Sequence, residues 1–336
     1  MSPRFRSLAL PAIVTGLLMI VLAACGSSAS EGSGRDAASG SPDFSYTDGR
    51  GETVALEDVP QRIVASEQAA AGLIPYGIHP VGVWGAGPLE DSFTLAGLDL
   101  KGAESVGQAY GEVDVEKVVG LEPDLIITGA YPGDFLGGLG AKDAKVVTDL
   151  QKVAPMAAVS ATGTASESLV EYRKLAQLLG ADVEGARIDA DRADFEQAVS
   201  DLKSAIAAQP DVKVLAVSPT DEFYVAITDE FPELRDYRDW GLTFIESDVA
   251  RTPGSGSFAP VSWENAGDFD PDLILLDQRP YAYGLDKIRS DYPTWSSIDA
   301  ARDGRIVGWT TDATLNYASY AQQIRELATA IDGVDS

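Results

Sequence analysis

Two similar Rossmann-like α/β lobes joined by a long rigid helix, with a ligand cleft between them, are what the 336-residue chain predicts. Three observations carry this. A run of Glu, six residues and Pro-Asp-Leu-Ile occurs twice, from Glu116 to Ile126 and, 148 positions later, from Glu264 to Ile274. Short apolar segments bounded by turn residues alternate with helical patterns on both sides of the chain's middle. Between them lies a stretch of helical periodicity. Proline disfavours the α region in the residue before it and cannot continue a helix, so each Pro-Asp ends a helical segment. The apolar run that follows reads as a buried strand of a parallel sheet. One such unit in each half argues for two lobes, and two lobes leave a cleft.

In chain order, Arg4 and Arg6 precede an apolar stretch, residues 8–22, that is short for a membrane span, and Ala23-Ala24-Cys25 ends it. This resembles a bacterial lipoprotein signal over residues 1–24, with Cys25 lipidated, and it predicts an extracytoplasmic protein tethered to the cell membrane. Cys25 is the only cysteine, so disulfides, a structural zinc site and a catalytic thiol are excluded. Residues 25–43, rich in Ser, Gly, Ala and Asp, form the expected flexible tether. Cleavage before Cys25 leaves 23 basic residues against 52 acidic ones, a net charge of −29. That sign repels phosphate backbones, so nucleic acid is not an expected partner.

The N-terminal lobe is expected over 44–164. Residues 44–57 read as a hairpin turning at Asp48-Gly49. Strands are expected at 61–65, 81–83, 125–128 and 144–148. The connecting helix, 165–185, places Leu169, Tyr172, Leu175, Leu178 and Leu179 at helical spacing before Gly180. A C-terminal lobe follows over 186–336. It opens with a helical run at 186–208, continues through strands at 213–217, 242–246, 273–276 and 306–309, and closes on an amphipathic helix at 319–331.

Five segments in this order, Asp48-Gly49-Arg50-Gly51, Pro60-Gln61-Arg62-Ile63-Val64, the run from Gly77 to Val83, the run from Glu116 to Ile127, and Gly304-Arg305-Ile306-Val307, resemble the substrate-binding lipoproteins of ABC importers for ferric siderophores, haem and cobalamin, the class III periplasmic binding proteins. The resemblance covers nearly all of the chain after the tether. It implies two lobes on one long helix with only small domain movements, and one acidic residue on each lobe that docks onto arginines of the permease. Glu116 and Glu264 occupy equivalent places and are the candidates.

Cleft residues are expected on loops at the carboxyl ends of strands. The first lobe offers Glu67, Trp84, Tyr110 and Tyr131 there. The second offers Phe223, Tyr224, Arg251, Arg279, Tyr281, Tyr283, Trp309 and Tyr317. Of these, Trp84, Tyr110, Tyr131, Tyr224, Arg251, Arg279, Tyr281 and Trp309 form the predicted ligand set, with Arg279 directly after a strand and Arg251 in a Thr-, Pro-, Gly- and Ser-containing loop. Arginine can donate paired hydrogen bonds to oxygens around a ferric ion, and aromatic faces cover the rest of a bulky ligand. Two arginines among many aromatics slightly favour a nearly neutral trihydroxamate over an anionic tricatecholate.

The expected partner is therefore a ferric siderophore delivered to an ABC permease, with iron present only inside the ligand and no cofactor. A bare metal ion wants clustered imidazoles and carboxylates, and His79 is the only histidine. Cobalamin and haem stay open as alternatives within the importer class. The rival in kind is a secreted hydrolase, but the chain has no Gly-x-Ser-x-Gly elbow. Gly137-Gly138-Leu139-Gly140 lacks the Lys-Ser ending of a phosphate loop. No catalytic residue is assigned, and the protein is not expected to be an enzyme.

Overall fold

The computed structural model describes residues 43–249 and 256–334; the signal, most of the tether, the lipidation candidate Cys25 and the cleft candidate Arg251 lie outside them. The first lobe opens with the hairpin β1 (Phe44–Thr47) and β2 (Thr53–Leu56), followed by β3 (Ile63–Ser66), α1 (Glu67–Leu73), β4 (Gly82–Trp84), β5 (Glu104–Gly107), α2 (Val115–Gly120) and β6 (Leu125–Tyr131). A small hairpin, β7 (Phe135–Leu136) and β8 (Gly140–Ala141), then α3 (Lys145–Leu150) and β9 (Met156–Ser160) complete it. Five strands lie parallel in the order β5, β4, β3, β6, β9, and the β7–β8 hairpin extends the carboxyl end of β6 antiparallel. The first six residues of β6 are all buried, as a strand covered on both faces requires.

After α4 (Ala165–Leu178) and α5 (Ala186–Ala208), the second lobe runs β10 (Lys213–Pro219), β11 (Phe223–Ala226), α6 (Pro232–Asp239), β12 (Thr243–Phe244), β13 (Phe258–Val261), β14 (Leu273–Asp277), α7 (Leu285–Asp291), α8 (Asp299–Arg302), β15 (Ile306–Trp309) and α9 (Tyr317–Asp332). Strands β12, β10, β14 and β15 are parallel neighbours, while β11 and β13 pair antiparallel beyond the carboxyl end of β10. Both lobes therefore carry an antiparallel extension on an interior strand, β6 or β10, next to the sheet edge.

The repeated Pro-Asp has a structural reason. Asp124 accepts the backbone N–H groups of Gln61 (2.8 Å) and Arg62 (2.9 Å), and Asp272 accepts that of Lys213 (2.8 Å). Each aspartate thus ties the start of its own strand to the start of the adjacent one and fixes the register. Asp48 staples the first hairpin to β9 in a related way, accepting from Ala158 N (3.0 Å) and pairing with Arg50.

Helix α4 begins in a capping box, Thr164 with Glu167, which satisfies two otherwise unpaired backbone donors. Its first turns contribute Ala165 and Leu169 to the core of the second lobe. Its later turns contribute Tyr172, Leu175 and Ala176 to the core of the first. The helix is consequently packed into both lobes. At Gly72 of α1 an added Cβ would lie 2.4 Å from the Tyr172 ring, so the close approach of α1 and α4 requires glycine there.

The expectation of a strand at 144–148 is overturned: residues 145–150 are the helix α3. Val146, Val147 and Thr148 are β-branched, yet only Val147 and Leu150, three residues apart, are buried. Tertiary burial on a helical face outweighs local propensity. The edge strand of this lobe is instead β9, whose apolar run Met156-Ala157-Ala158-Val159 was not anticipated.

Candidate functional site

The carboxyl ends of both parallel sheets face one another across the lobe junction, and the charged centre there is Arg279, two residues past the end of β14. Its Nε donates to Asp277 Oδ1 (2.9 Å) and its Nη2 to Asp277 Oδ2 (2.9 Å), while Ser218 Oγ donates to the same carboxylate (2.7 Å). Burial pulls the guanidinium pKa down, but the charge and hydrogen bonds of Asp277, with Tyr281 and Asp312, together outweigh it and hold the pKa above its ordinary value. Four rings surround the guanidinium carbon: Tyr281 at 5.1 Å, Phe231 at 5.5 Å, Trp309 at 5.6 Å and Phe258 at 5.8 Å. Cation–π attraction and the fork to Asp277 together lock its orientation.

Trp309 is set from behind. Its indole Nε1 donates to Glu233 Oε1 (2.7 Å), and Thr311 Oγ1 donates to Glu233 Oε2 (2.9 Å). Glu233 is fully buried, and desolvation pushes its pKa up to about 7. Phe231 stands edge-on to Trp309 (5.1 Å) and tilted against Phe258 (5.1 Å), which reaches Tyr224 (6.0 Å). The second lobe thus presents a continuous aromatic shelf with one fixed guanidinium in it.

The first lobe answers with rings that lack such a frame. Tyr110 is 64 % exposed and Phe135 is 48 % exposed. Tyr110 lies beside Gly140, the start of β8, and Phe135 sits on β7. Tyr131, half-buried at the end of β6, meets Pro232, Thr311 and Leu315 of the other lobe in a narrow crevice. Burial first, then the charges of Asp312 and Glu233, raise its phenol pKa.

Several predicted residues are placed differently from expectation. Trp84 is 0 % exposed; its Nε1 donates to the Gly137 carbonyl (3.2 Å), so it props the glycine-rich hairpin rather than facing a ligand. That contact is also what the glycine run is for, since an added Cβ at Gly138 would lie 2.8 Å from the Trp84 nitrogen. Trp309 is 1 % exposed and acts beneath Arg279. Phe223 is core, packed on Trp263 (5.2 Å), and Tyr283 stacks on Tyr292 (6.1 Å) within that same cluster. Tyr317 is buried at the start of α9. Tyr224 is half-buried on the shelf, and Tyr281, 54 % exposed, is the open ring beside Arg279. Glu67 is buried, accepting from Ser92 Oγ (2.8 Å) and Ala86 N (3.1 Å). His79 is exposed, with Nδ1 3.2 Å from the Asp99 carbonyl.

Phe231, Glu233, Phe258, Asp277 and Asp312 were not singled out from the sequence. Phe258 could have been, because Phe258-Ala259-Pro260-Val261 alternates like a strand, with half-buried and buried positions in turn. The others follow no local signal.

Glu116 and Glu264 are both exposed and both hold the second position of a short helix, α2 in one lobe and the 3-10 turn Trp263–Asp268 in the other. Asp114 and Ser262 cap those helices, accepting from Lys117 N and Glu264 N. Asp114 N also donates to Val106 O of β5, and the Trp263 indole donates to Thr220 O just past β10. The two carboxylates therefore stand on the side of the sheets where the strands end.

A second concavity of about 760 Å³ lies between β5, α2 and α3, bordered by Gln108, Lys117, Lys145 and Asp149, with no aromatic side chain in its lining. It is open and charged, and none of the residues of the Arg279 frame borders it. Among the described residues no group of three or more His, Cys, Asp or Glu is arranged to hold a metal ion, and no helix is long and apolar enough to cross a membrane.

Residues 99–313 match the family of periplasmic binding proteins. The chain belongs to that family. Its members are the substrate-binding proteins of transporters. The fold agrees in detail with a solved relative, DesE, a ferric-siderophore receptor protein from Streptomyces coelicolor, at a TM-score of 0.79 and 30 % identity, covering 86 % of this chain and 98 % of that one. The siderophore periplasmic binding protein from the fuscachelin gene cluster of Thermobifida fusca matches at a TM-score of 0.58 and 25 % identity, over 82 % of this chain and 97 % of its own. Among curated proteins, the probable siderophore-binding lipoprotein YfiY of Bacillus subtilis is 26 % identical over 327 residues, 90 % of this chain and 92 % of its own.

Proposed function

We propose that this periplasmic binding protein captures a ferric siderophore outside the cytoplasm and delivers it to an ABC import permease. The observation that carries the reading is the Arg279 frame: a guanidinium oriented by Asp277 and walled by four rings, in a chain whose other lobe exposes Tyr110 and Phe135. Such a surface suits a bulky complex whose metal-bound oxygens accept hydrogen bonds while its organic arms lie on aromatic faces. The siderophore receptors and binding proteins among the relatives support it. Iron enters only within the ligand, and the ligand leaves chemically unchanged, as a receptor rather than an enzyme requires.

Within that class, a trihydroxamate fits better than a tricatecholate, because Asp277 already balances the charge of Arg279. Tyr110, Tyr131, Tyr224, Arg279 and Tyr281 are the proposed contacts, and Arg251 belongs to the same proposed set. Trp84 and Trp309 serve as supports. Glu116 and Glu264 dock onto the permease, one from each lobe, so that the permease senses both lobes together. Cys25 is the proposed lipid anchor.

The test is a titration of intrinsic tryptophan fluorescence with ferric trihydroxamates, ferric tris-catecholates, haem and cobalamin. Saturable quenching at one equivalent by a ferric complex is expected, and a folded protein that responds only to haem or cobalamin would overturn the ligand class. Reversing the charge at both Glu116 and Glu264 should abolish cellular uptake with ligand binding intact; unaltered uptake would sink the docking assignment.

A further inference from the structure

Two segments that reach across the lobe junction are held by one short helix, α6. The first is the chain that leaves β9 and enters α4. Residues 161–165 join the first sheet to α4 there, and a pivot between the lobes would have to be absorbed in the φ and ψ of a few such residues. Arg235 of α6 forks over this chain. Its Nε donates to the Asp229 carbonyl of its own lobe (2.7 Å), while Nη1 donates to the carbonyls of Thr162 and Gly163 (2.9 Å to Gly163). Asp236, 3 % exposed, accepts from Ser166 N (2.8 Å) and Ser166 Oγ (3.0 Å) in the first turn of α4, and from the Tyr320 hydroxyl of α9 (3.0 Å). A carboxylate of the second lobe thus satisfies a backbone donor that the first turn of a helix leaves unpaired, with the charge sign that a helix start favours. Ala161 N donates to Ala130 O of β6 (2.8 Å), so the clamped residues follow directly from the first sheet.

The second segment is the 3-10 turn Thr311–Leu315 of the second lobe. Leu315 is buried in the core of the first lobe, and Asn316, next in the chain, donates from Nδ2 to the Ala71 carbonyl of α1 (3.4 Å). Glu233 of α6 accepts from Thr311 Oγ1 (2.9 Å) at the start of that turn and from the Trp309 indole beneath Arg279. Phe231, just ahead of α6, is one of the rings around Arg279. The eight residues Pro232–Asp239 therefore connect the aromatic shelf to both contacts with the first lobe. We propose that α6 is the clamp that sets the angle between the lobes, with Arg235 and Asp236 as its positioning residues. They hold the rings of the first lobe in place relative to the Arg279 frame, and they fix the spacing between Glu116 and Glu264. The effect on ligand binding rests on the reading of the chain as a ferric-siderophore receptor; the lobe angle does not.

Spin labels read the lobe setting without ligand or permease. Cys25 is the only cysteine, so the chain carrying Cys25→Ser, Glu116→Cys and Glu264→Cys takes one label on each lobe, and double electron–electron resonance measures the distance between them. A single narrow distance is expected. Arg235→Ala and Asp236→Ala should each replace it with a broad or displaced distribution, and Asp236→Asn, which keeps an acceptor oxygen for Ser166 N, should restore much of the sharpness. Ile288→Ala truncates a side chain in a core cluster of the second lobe that includes no residue of α6; it should lower the melting temperature while leaving the distance unchanged. In the unlabelled proteins, Arg235→Ala and Asp236→Ala should weaken binding of a ferric trihydroxamate by about tenfold, which corresponds to about 1.4 kcal/mol, and Ile288→Ala should not. An unchanged distribution in both folded clamp variants, the same change in Ile288→Ala, or full affinity despite displaced labels would overturn the clamp. Failure of folded wild type to bind any ferric trihydroxamate, with the labels still displaced in the clamp variants, would overturn the receptor reading and leave the clamp standing.

Discussion

The two lobes meet the cleft with opposite designs. In the second lobe a charged group is fixed before any ligand arrives, since Asp277, Phe231, Phe258, Tyr281 and Trp309 surround Arg279 and Glu233 fixes Trp309 in turn. In the first lobe the aromatic rings are Tyr110 and Phe135, carried near or on a glycine-rich hairpin and open to solvent, with the buried Trp84 as their support. Both lobes also carry an antiparallel extension at the carboxyl end of an interior strand, β6 in the first and β10 in the second. The difference teaches that polar recognition needs pre-ordered partners, because a buried charge is costly unless paired, whereas apolar cover works with adaptable rings. On the proposed function, the second lobe sets orientation and the first supplies contact area.

The strongest way to break this contrast is to remove the fixed charge. Arg279→Ala should cost about a hundredfold in ferric-siderophore affinity, consistent with roughly 3 kcal/mol for a charge-assisted contact. It should also destabilise the fold by about 3 kcal/mol, because Asp277 is left buried without its counter-charge. Titration and denaturant unfolding measure both; an unchanged affinity would remove Arg279 from the site. Tyr110→Ala, by contrast, should leave unfolding unchanged.

Next in size is the carboxyl behind Trp309. Its pKa in the fold, about 7, lies above the ordinary glutamate value of 4.5, so between those values the native state binds more protons than the unfolded chain. Stability is therefore fully kept below about pH 4.5 and falls as pH rises toward 7, by a total of roughly 3 kcal/mol on the linkage scale. Glu233→Gln should flatten that dependence, making the variant relatively more stable at pH 8 than at pH 5. Parallel unfolding curves for variant and wild type at both pH values would contradict the assignment.

A smaller effect is expected at the helix shared by the lobes. Gly72→Ala drives a methyl into the Tyr172 ring, and overpacking of this kind costs about 1 to 3 kcal/mol. Because Tyr172 belongs to α4, the variant should also weaken ligand binding by altering how the lobes are set; a loss of stability with binding intact would show that α4 does not transmit lobe position. The smallest effect sharpens the contrast from the other side. Tyr110→Ala and Phe135→Ala should each lower affinity by about tenfold or less, the value of one aromatic contact, with no shift in melting temperature.

Much of the architecture was legible locally. The Pro-Asp pairs marked helix end and strand start, and Asp124 and Asp272 proved to be the residues that fix the strand registers. Arg279 was visible as a charge directly after a buried strand. Residues 144–148 were misread because a β-branched run looks like a strand until its burial is known, and Trp84 because a tryptophan at a strand end looks the same from the sequence whether it faces a ligand or supports a hairpin.

What the sequence determined by itself was the alternation of elements, the two-lobed plan and the helix between the lobes, since periodicity, proline and glycine act within a few residues of themselves. Only the tertiary structure decided the site. The rings around Arg279 come from positions 231, 258, 281 and 309, and the carboxyl that steadies Trp309 is 76 residues away from it in the chain. Those contacts exist because parallel strands bring distant loops to one edge, and burial there makes each polar group depend on partners that no local pattern encodes.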